Sequence, residues 1–187
     1  MKKLLLAIFC LLLGCNACAL EIEGVRLDDR AQLGEASLQL NGVGLRTKLF
    51  LNIYVGALYL LQKQSSADAI IADEHERRVA LHMLRGLSSK KLFSAFDDAI
   101  RKNHTPAELS ALDPQMKQME QIFAAIADVK QGDVIMLDYL SGSGTRITVN
   151  GTARGTIAGP EFYRALLKIW LGSEPVQKDM KKGMLGG

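Results

Sequence analysis

The sequence predicts an α+β fold, on three observations. Apolar residues alternate at period two in stretches near the start and again past residue 130, the spacing of half-buried strands. They recur at three- and four-residue intervals in the middle and at the end, the spacing of helices laid on a sheet. No long linker, internal repeat or low-complexity tract divides these segments, so strands and helices are assigned to one domain.

A leader precedes the elements. "MKKLLLAIFCLLLGCNACA" opens with two lysines, runs through apolar residues from Leu4 to Leu13 and ends in small residues, the pattern of an export signal. The run is shorter than the roughly 20 residues that span a bilayer, and no later segment comes closer, so no transmembrane segment is expected after cleavage. Ala17-Cys18-Ala19 places cleavage after Ala19, giving 1–19 as signal peptide and 20–187 as the domain. The alternative cut at "LLGC" would leave Cys15 as the lipid-anchored first residue of a lipoprotein. A leader of this kind points to a periplasmic or secreted bacterial protein.

All three cysteines, Cys10, Cys15 and Cys18, fall in the leader, so the domain carries no disulfide, thiol nucleophile or cysteine-ligated metal. The formal charge of +3 drops to +1 without Lys2 and Lys3, so no global field steers the protein to nucleic acid or anionic lipid.

Strands are predicted over residues 21–27, 36–42 and 45–61, then a short helix over "SSADAIIADE". Residues 75–85 alternate as a further strand, with Val79, Leu81 and Met83 on one face. Ser88 or Ser89 caps a helix whose apolar stripe is Leu92, Phe93, Phe96, Ala99 and Ile100. "TPAE" at Thr105–Glu108 supplies an N-cap, a proline at the first helical position and a glutamate at the third. "DPQM" at Asp113 is read as the start of another helix carrying Met116, Met119, Ile122, Phe123 and Ile126, with the methionines as core filler. Strands over 133–140 and 145–150 are joined by "SGSG", and Asn150-Gly151 turns the chain into a short strand over 155–157. Pro160 opens a helix that stops at Gly172, and a last short helix is expected from Pro175.

Most reactive chemistry is excluded by spacing. The glycines of "SGSGT" join two strands, open no helix and are followed by no lysine, so they form a turn and not a phosphate loop. His75, His82 and His104 share no ligand spacing, and no metal or cofactor is expected. No G-x-S-x-G surrounds a serine, and the pairs Asp28-Asp29 and Asp97-Asp98 read as a loop and a solvated helix face.

The informative stretch is "NGVGLRTKLFLNIYVGALYLL", residues 41–61. As one strand it would place Leu45, Leu49, Leu51, Ile53, Val55 and Ala57 on an apolar wall. The opposite face would carry Arg46, Lys48, Phe50, Asn52, Tyr54 and Gly56, too polar for a dry core and too apolar for open water. A cleft fits that mixture, and an arginine in a cleft suits a carboxylate, which accepts two parallel hydrogen bonds from one guanidinium. Arg85, following Met83 on its face, repeats the theme. The competing reading sets Arg46 and Arg85 at sheet edges with their heads in water. In one straight strand residues 46 and 54 would lie about 26 Å apart at roughly 3.3 Å per residue, so sharing a ligand requires a bend, for which Gly44 and Gly56 offer places.

"LNGVGLRTKLFLNIYVGALYL", "HMLRGLSSKKLFSAFDDAI", "GDVIMLDYLSGSGTRITVNGTARGTI" and "GPEFYRALLKIWLGSEPVQKDMKKGMLG" together resemble the chalcone isomerase-like family in its bacterial, exported branch. The most specific marks are "GVGLR" and the ending "IWLG..PV....KKGMLG". The resemblance implies an open-faced β-sandwich, a large antiparallel sheet with helices packed on it and a cleft between. The family's enzymes close a chalcone to a flavanone with an arginine, which Arg46 matches, aided by hydroxyl and amide side chains. Those partners fall near Tyr54, Leu92, Ala99 and Ile169, so at least three polar positions are apolar here. Fatty-acid-binding relatives instead hold a carboxylate with an arginine and a tyrosine over an apolar cavity, for which Arg46, Tyr54 and Arg85 are the candidates. A non-catalytic binder of a small apolar carboxylate is therefore the leading expectation. An intramolecular lyase or isomerase of an unsaturated carbonyl compound, with Arg46 stabilising an oxyanion, is the alternative.

Overall fold

A computed structural model of the chain describes residues 20–187. The expected leader, with Cys10, Cys15 and Cys18, lies outside the described residues. Nine strands and five helices follow in the predicted order of classes: β1 (Leu20–Ile22), β2 (Val25–Leu27), β3 (Arg30–Leu33), β4 (Ala36–Lys48), β5 (Leu51–Leu60), α1 (Ala67–Ala72), β6 (Arg77–Met83), α2 (Ser89–Lys102), α3 (Pro106–Ala125), β7 (Val134–Leu140), β8 (Gly144–Val149), β9 (Thr152–Ile157), α4 (Pro160–Leu171) and α5 (Lys178–Met184). Strands β3 to β9 pair antiparallel in sequence order as one seven-stranded sheet, and β1–β2 is a separate hairpin. The α+β, open-faced arrangement is as expected.

Both faces of the sheet are covered, unequally. On the helix side Leu58, Val79, Leu137 and Ile147 pack with Phe96, Met119, Phe162 and Leu166 into the larger core. On the other side Val55, Ala57, Tyr59 and Ala80 pack with Leu27, Leu33, Leu38 and Leu40. The apolar wall predicted around Val55 and Ala57 thus belongs to the smaller core, and the face carrying Arg46 and Tyr54 is turned to the helices.

The predicted strand 45–61 is in fact the two arms of a hairpin. Lys48 pairs with Leu51, leaving Leu49 and Phe50 as a two-residue loop. Their φ values are +50° and +64°. A turn with positive φ at both positions ordinarily takes Asn-Gly, because bulky side chains there cost about 1–2 kcal/mol each. Asn150-Gly151 makes the same kind of turn with the expected residues, at φ +49° and +76°. Leu49 and Phe50 are 81% and 103% exposed, so no packing offsets their strain. Substituting Leu49→Asn together with Phe50→Gly is expected to stabilise the fold by about 1–2 kcal/mol, read as a thermal midpoint raised by about 2–8 °C.

The two arms carry bulges at both ends of their register. Arg46 opposes Tyr54 while Thr47 opposes Asn52, so Ile53 is the extra residue of one. Leu40 opposes Tyr59 while Gly42 opposes Leu58, so Asn41 is the extra residue of the other. Buried Asn41 is fully employed: its Nδ2 donates to the Met184 carbonyl at 2.8 Å and its Oδ1 accepts from the Gln64 amide at 2.7 Å.

Two other expectations are corrected by the structure. The helix expected to begin at Asp113 is continuous with the one before it, so α3 runs through Pro114. Leu112, Met119 and Phe123 lie on one buried stripe spanning the proline, and their burial outweighs the backbone bond it removes. The strand expected over 21–27 folds back at Glu23-Gly24 into β1–β2, where Leu20 pairs with Leu27. The capping box at Thr105 and Glu108 and the cap at Ser88 are as predicted.

Candidate functional site

The hairpin resolves the distance problem posed by the sequence. Arg46 on β4 and Tyr54 on β5 are direct cross-strand partners, eight positions apart along the chain but side by side in the sheet. Both line a cavity of about 460 Å³ between the sheet and helices α2, α3 and α4, a size typical of small-molecule sites. Its floor is Ile53, Tyr54, Leu81, Ile135 and Leu137, and its roof includes Leu92, Phe96, Met119 and Phe123. The bulge explains why Ile53 and Tyr54, adjacent in sequence, border the same space. Lys48, Lys91, Ser94, Ala95 and Asp98 line it yet are exposed, and so mark where it opens to solvent.

Arg46 is half-buried and held on one side only. Its Nη1 donates to the Thr47 carbonyl at 2.6 Å and to Gln177 Oε1 at 3.3 Å. The same Gln177 oxygen accepts from the Thr47 amide at 2.9 Å, which fixes the glutamine. Among the described residues Nε and Nη2 of Arg46 have no hydrogen-bond partner and the guanidinium forms no ion pair. Two parallel N–H groups are therefore left over, the arrangement a carboxylate takes up.

Tyr54 is buried, and its hydroxyl accepts from Trp170 Nε1 at 3.0 Å. Burial raises its pKa above the ordinary tyrosine value, against smaller opposing pulls from the Trp170 hydrogen bond and the Arg46 charge. The hydroxyl thus keeps its proton, and that proton has no acceptor among the described residues. Beside a guanidinium it is a second unspent donor.

Arg85, the third predicted site residue, is not brought to this place. It is exposed and absent from the cavity lining. Strand β6 ends at Met83, and the Leu84 amide turns to donate to the Ile53 carbonyl, so the alternation that put Arg85 on the Leu81 face has already stopped. Trp170 and Gln177 were missed as orienting groups. Trp170 was legible only as an apolar helix residue, and Gln177 bonds a residue 131 positions away. No group of His, Cys, Asp and Glu suited to a metal occurs among the described residues, and no described helix is long and apolar enough to cross a membrane.

The family model for chalcone isomerase-like proteins matches residues 19–186. The chain belongs to the chalcone isomerase-like family. Among solved structures, this family member is similar to the Arabidopsis thaliana fatty-acid binding protein, with a TM-score of 0.68 and 16% identity over 89% of this chain and 95% of that one. At that identity the likeness establishes the fold. No curated protein matches the sequence. The two marks that carried the resemblance, "GVGLR" and "KKGMLG", meet in space: the Gly42 and Gly44 backbone lies directly against Met180, Gly183 and Met184 of α5.

Proposed function

We propose that this chalcone isomerase-like protein binds a fatty acid or a similar apolar carboxylate without turning it over. The observation that carries the reading is the pair Arg46 and Tyr54, with unspent donors on both, at the edge of a cavity lined mainly by hydrocarbon. The carboxylate accepts from Arg46 Nε and Nη2 and from the Tyr54 hydroxyl, while the chain lies between Leu81, Leu137, Phe96 and Phe123. The likeness in fold to the Arabidopsis fatty-acid binding protein supports a fatty acid as the class. The volume equals about 15 waters at roughly 30 Å³ each, which suits an acyl chain of medium to long length.

Catalysis is disfavoured by what surrounds the pair. Leu92 and Ile169, at positions where the family's enzymes carry polar partners, both line the cavity as hydrocarbon. Export through the leader is part of the same proposal and places the binder outside the cytoplasm.

Calorimetric titration with laurate and with dodecanol tests the reading. Saturable binding of laurate, with dodecanol markedly weaker, is expected; equal affinity for the two, or no binding across a range of chain lengths, would sink it. Tyr54→Phe is expected to weaken laurate about 10-fold or more, the low end of the worth of one hydrogen bond to a charged acceptor, measured in the same titration.

A further inference from the structure

The tip of the β4–β5 hairpin has a composition its own fold does not explain. Leu49 and Phe50 are the most exposed large apolar residues described, and Leu51 beside them is 43% exposed. Both tip residues sit at positive φ, where asparagine and glycine would be easier. No contact among the described residues compensates, so the described fold gives no reason for Leu-Phe at this turn.

We propose that this tip inserts into the surface of an anionic lipid bilayer and sets the cavity mouth against it. Four observations favour a bilayer. The patch is two or three side chains on a two-residue projection, far below the roughly 800 Å² per partner of a stable protein interface. Leucine and phenylalanine beside cations are the residues that enter the acyl boundary of a membrane. The hairpin from Ala36 to Leu60 carries Arg46 and Lys48 and no acidic residue, and exposed Lys91 borders the same opening; cations so placed complement anionic headgroups locally, although the whole chain is nearly neutral. Of the carboxylates, Glu23 accepts from Asn52 at 2.9 Å, and Asp98 lines the opening on the same helix as Lys91. Lys48 adjoins Leu49 and lines the cavity, so a bilayer holding the tip is next to the entrance. Insertion stands on the tip alone; the further role of exchanging an acyl ligand with the bilayer rests on the proposed function.

The test uses the full chain and two variants. With Phe50→Trp, the emission gained over the parent, whose one tryptophan is the buried Trp170, reports the surroundings of the tip. That emission is expected to shift blue and be quenched by brominated lipid in phosphatidylglycerol-containing vesicles, and to do so much less in purely phosphatidylcholine vesicles. The paired change Leu49→Asn and Phe50→Gly is expected to lower vesicle affinity by roughly tenfold or more, with an unchanged or higher thermal midpoint and unchanged laurate binding in vesicle-free buffer. Because the pair relieves backbone strain, lost vesicle binding is not attributable to unfolding. An indole that stays open to aqueous quencher with vesicles present overturns the proposal, as does a paired variant that binds vesicles like the parent. So does a tip already shielded without vesicles through self-association, which would assign it to a second copy. Tip insertion without any laurate binding leaves the docking intact and removes only the fatty-acid reading; laurate binding without insertion does the reverse.

Discussion

Arg46→Met is expected to weaken laurate binding by roughly 30- to 150-fold while leaving dodecanol binding nearly unchanged. The factor corresponds to about 2–3 kcal/mol, the upper part of the range for one hydrogen bond to a charged group and less than two such bonds would give, because Arg46 is only half-buried. Methionine preserves the stem that packs along the cavity wall and removes only the charged fork. The alcohol is what makes the measurement decisive. It fills the same hydrocarbon space, so a variant that merely loosened the pocket would lose both ligands together. Equal losses for acid and alcohol would assign Arg46 a structural role and remove the basis for a carboxylate site. Calorimetry on parent and variant with each ligand gives the four values needed.

Gly44→Val is expected to lower stability by about 3 kcal/mol or more, with a thermal midpoint down by at least about 6–12 °C. A Cβ at this position would meet Met180 Cγ at 2.5 Å, the Met180 carbonyl oxygen at 2.6 Å and its Cα at 2.8 Å. Two of those atoms are backbone, so the helix must move as a body; a rotamer change does not suffice. Gly42 repeats the situation, where the atoms met are the Gly183 and Met184 carbonyls, and Gly183 in turn faces the Val43 carbonyl. Moving α5 also pulls on Gln177, at its N-cap, which holds Arg46 and Thr47. Residual folded Gly44→Val protein is therefore expected to bind laurate less well than dodecanol relative to the parent. An unchanged midpoint in thermal denaturation would show that the close packing of β4 on α5 is not rigid.

Elements were legible where local chemistry and packing agree. The caps at Ser88 and Thr105 and the proline at the start of α4 each satisfy the backbone in the way their residue types favour. The Asn150-Gly151 turn was legible for the same reason. Elements were misread where tertiary packing overrides local preference. Pro114 marks a break that the buried stripe of Leu112, Met119 and Phe123 does not permit. Leu49-Phe50 hides a turn inside what reads as an unbroken strand, and its strained backbone has no composition signal. That single misreading placed Arg46 and Tyr54 about 26 Å apart in a straight strand, where the structure makes them neighbours.

Within the site, the polar pair was legible because polar residues on a mostly apolar strand face stand out. The groups that aim the pair were not, since Trp170 reaches Tyr54 across 116 positions and Gln177 reaches Arg46 across 131. Arg85 failed because alternation was extended past the end of β6.

The reach from Gln177 back to Arg46 also sets an order of events as the chain emerges N-terminus first. Strands β4 and β5 can pair as soon as their own turn emerges, but the glycine ledge at Gly42 and Gly44 stays bare until α5 has followed. Until then the guanidinium of Arg46 lacks the Gln177 amide oxygen that orients it. If the proposed carboxylate site is right, chains that stop short of α5 are expected to discriminate laurate from dodecanol less well than chains that include it.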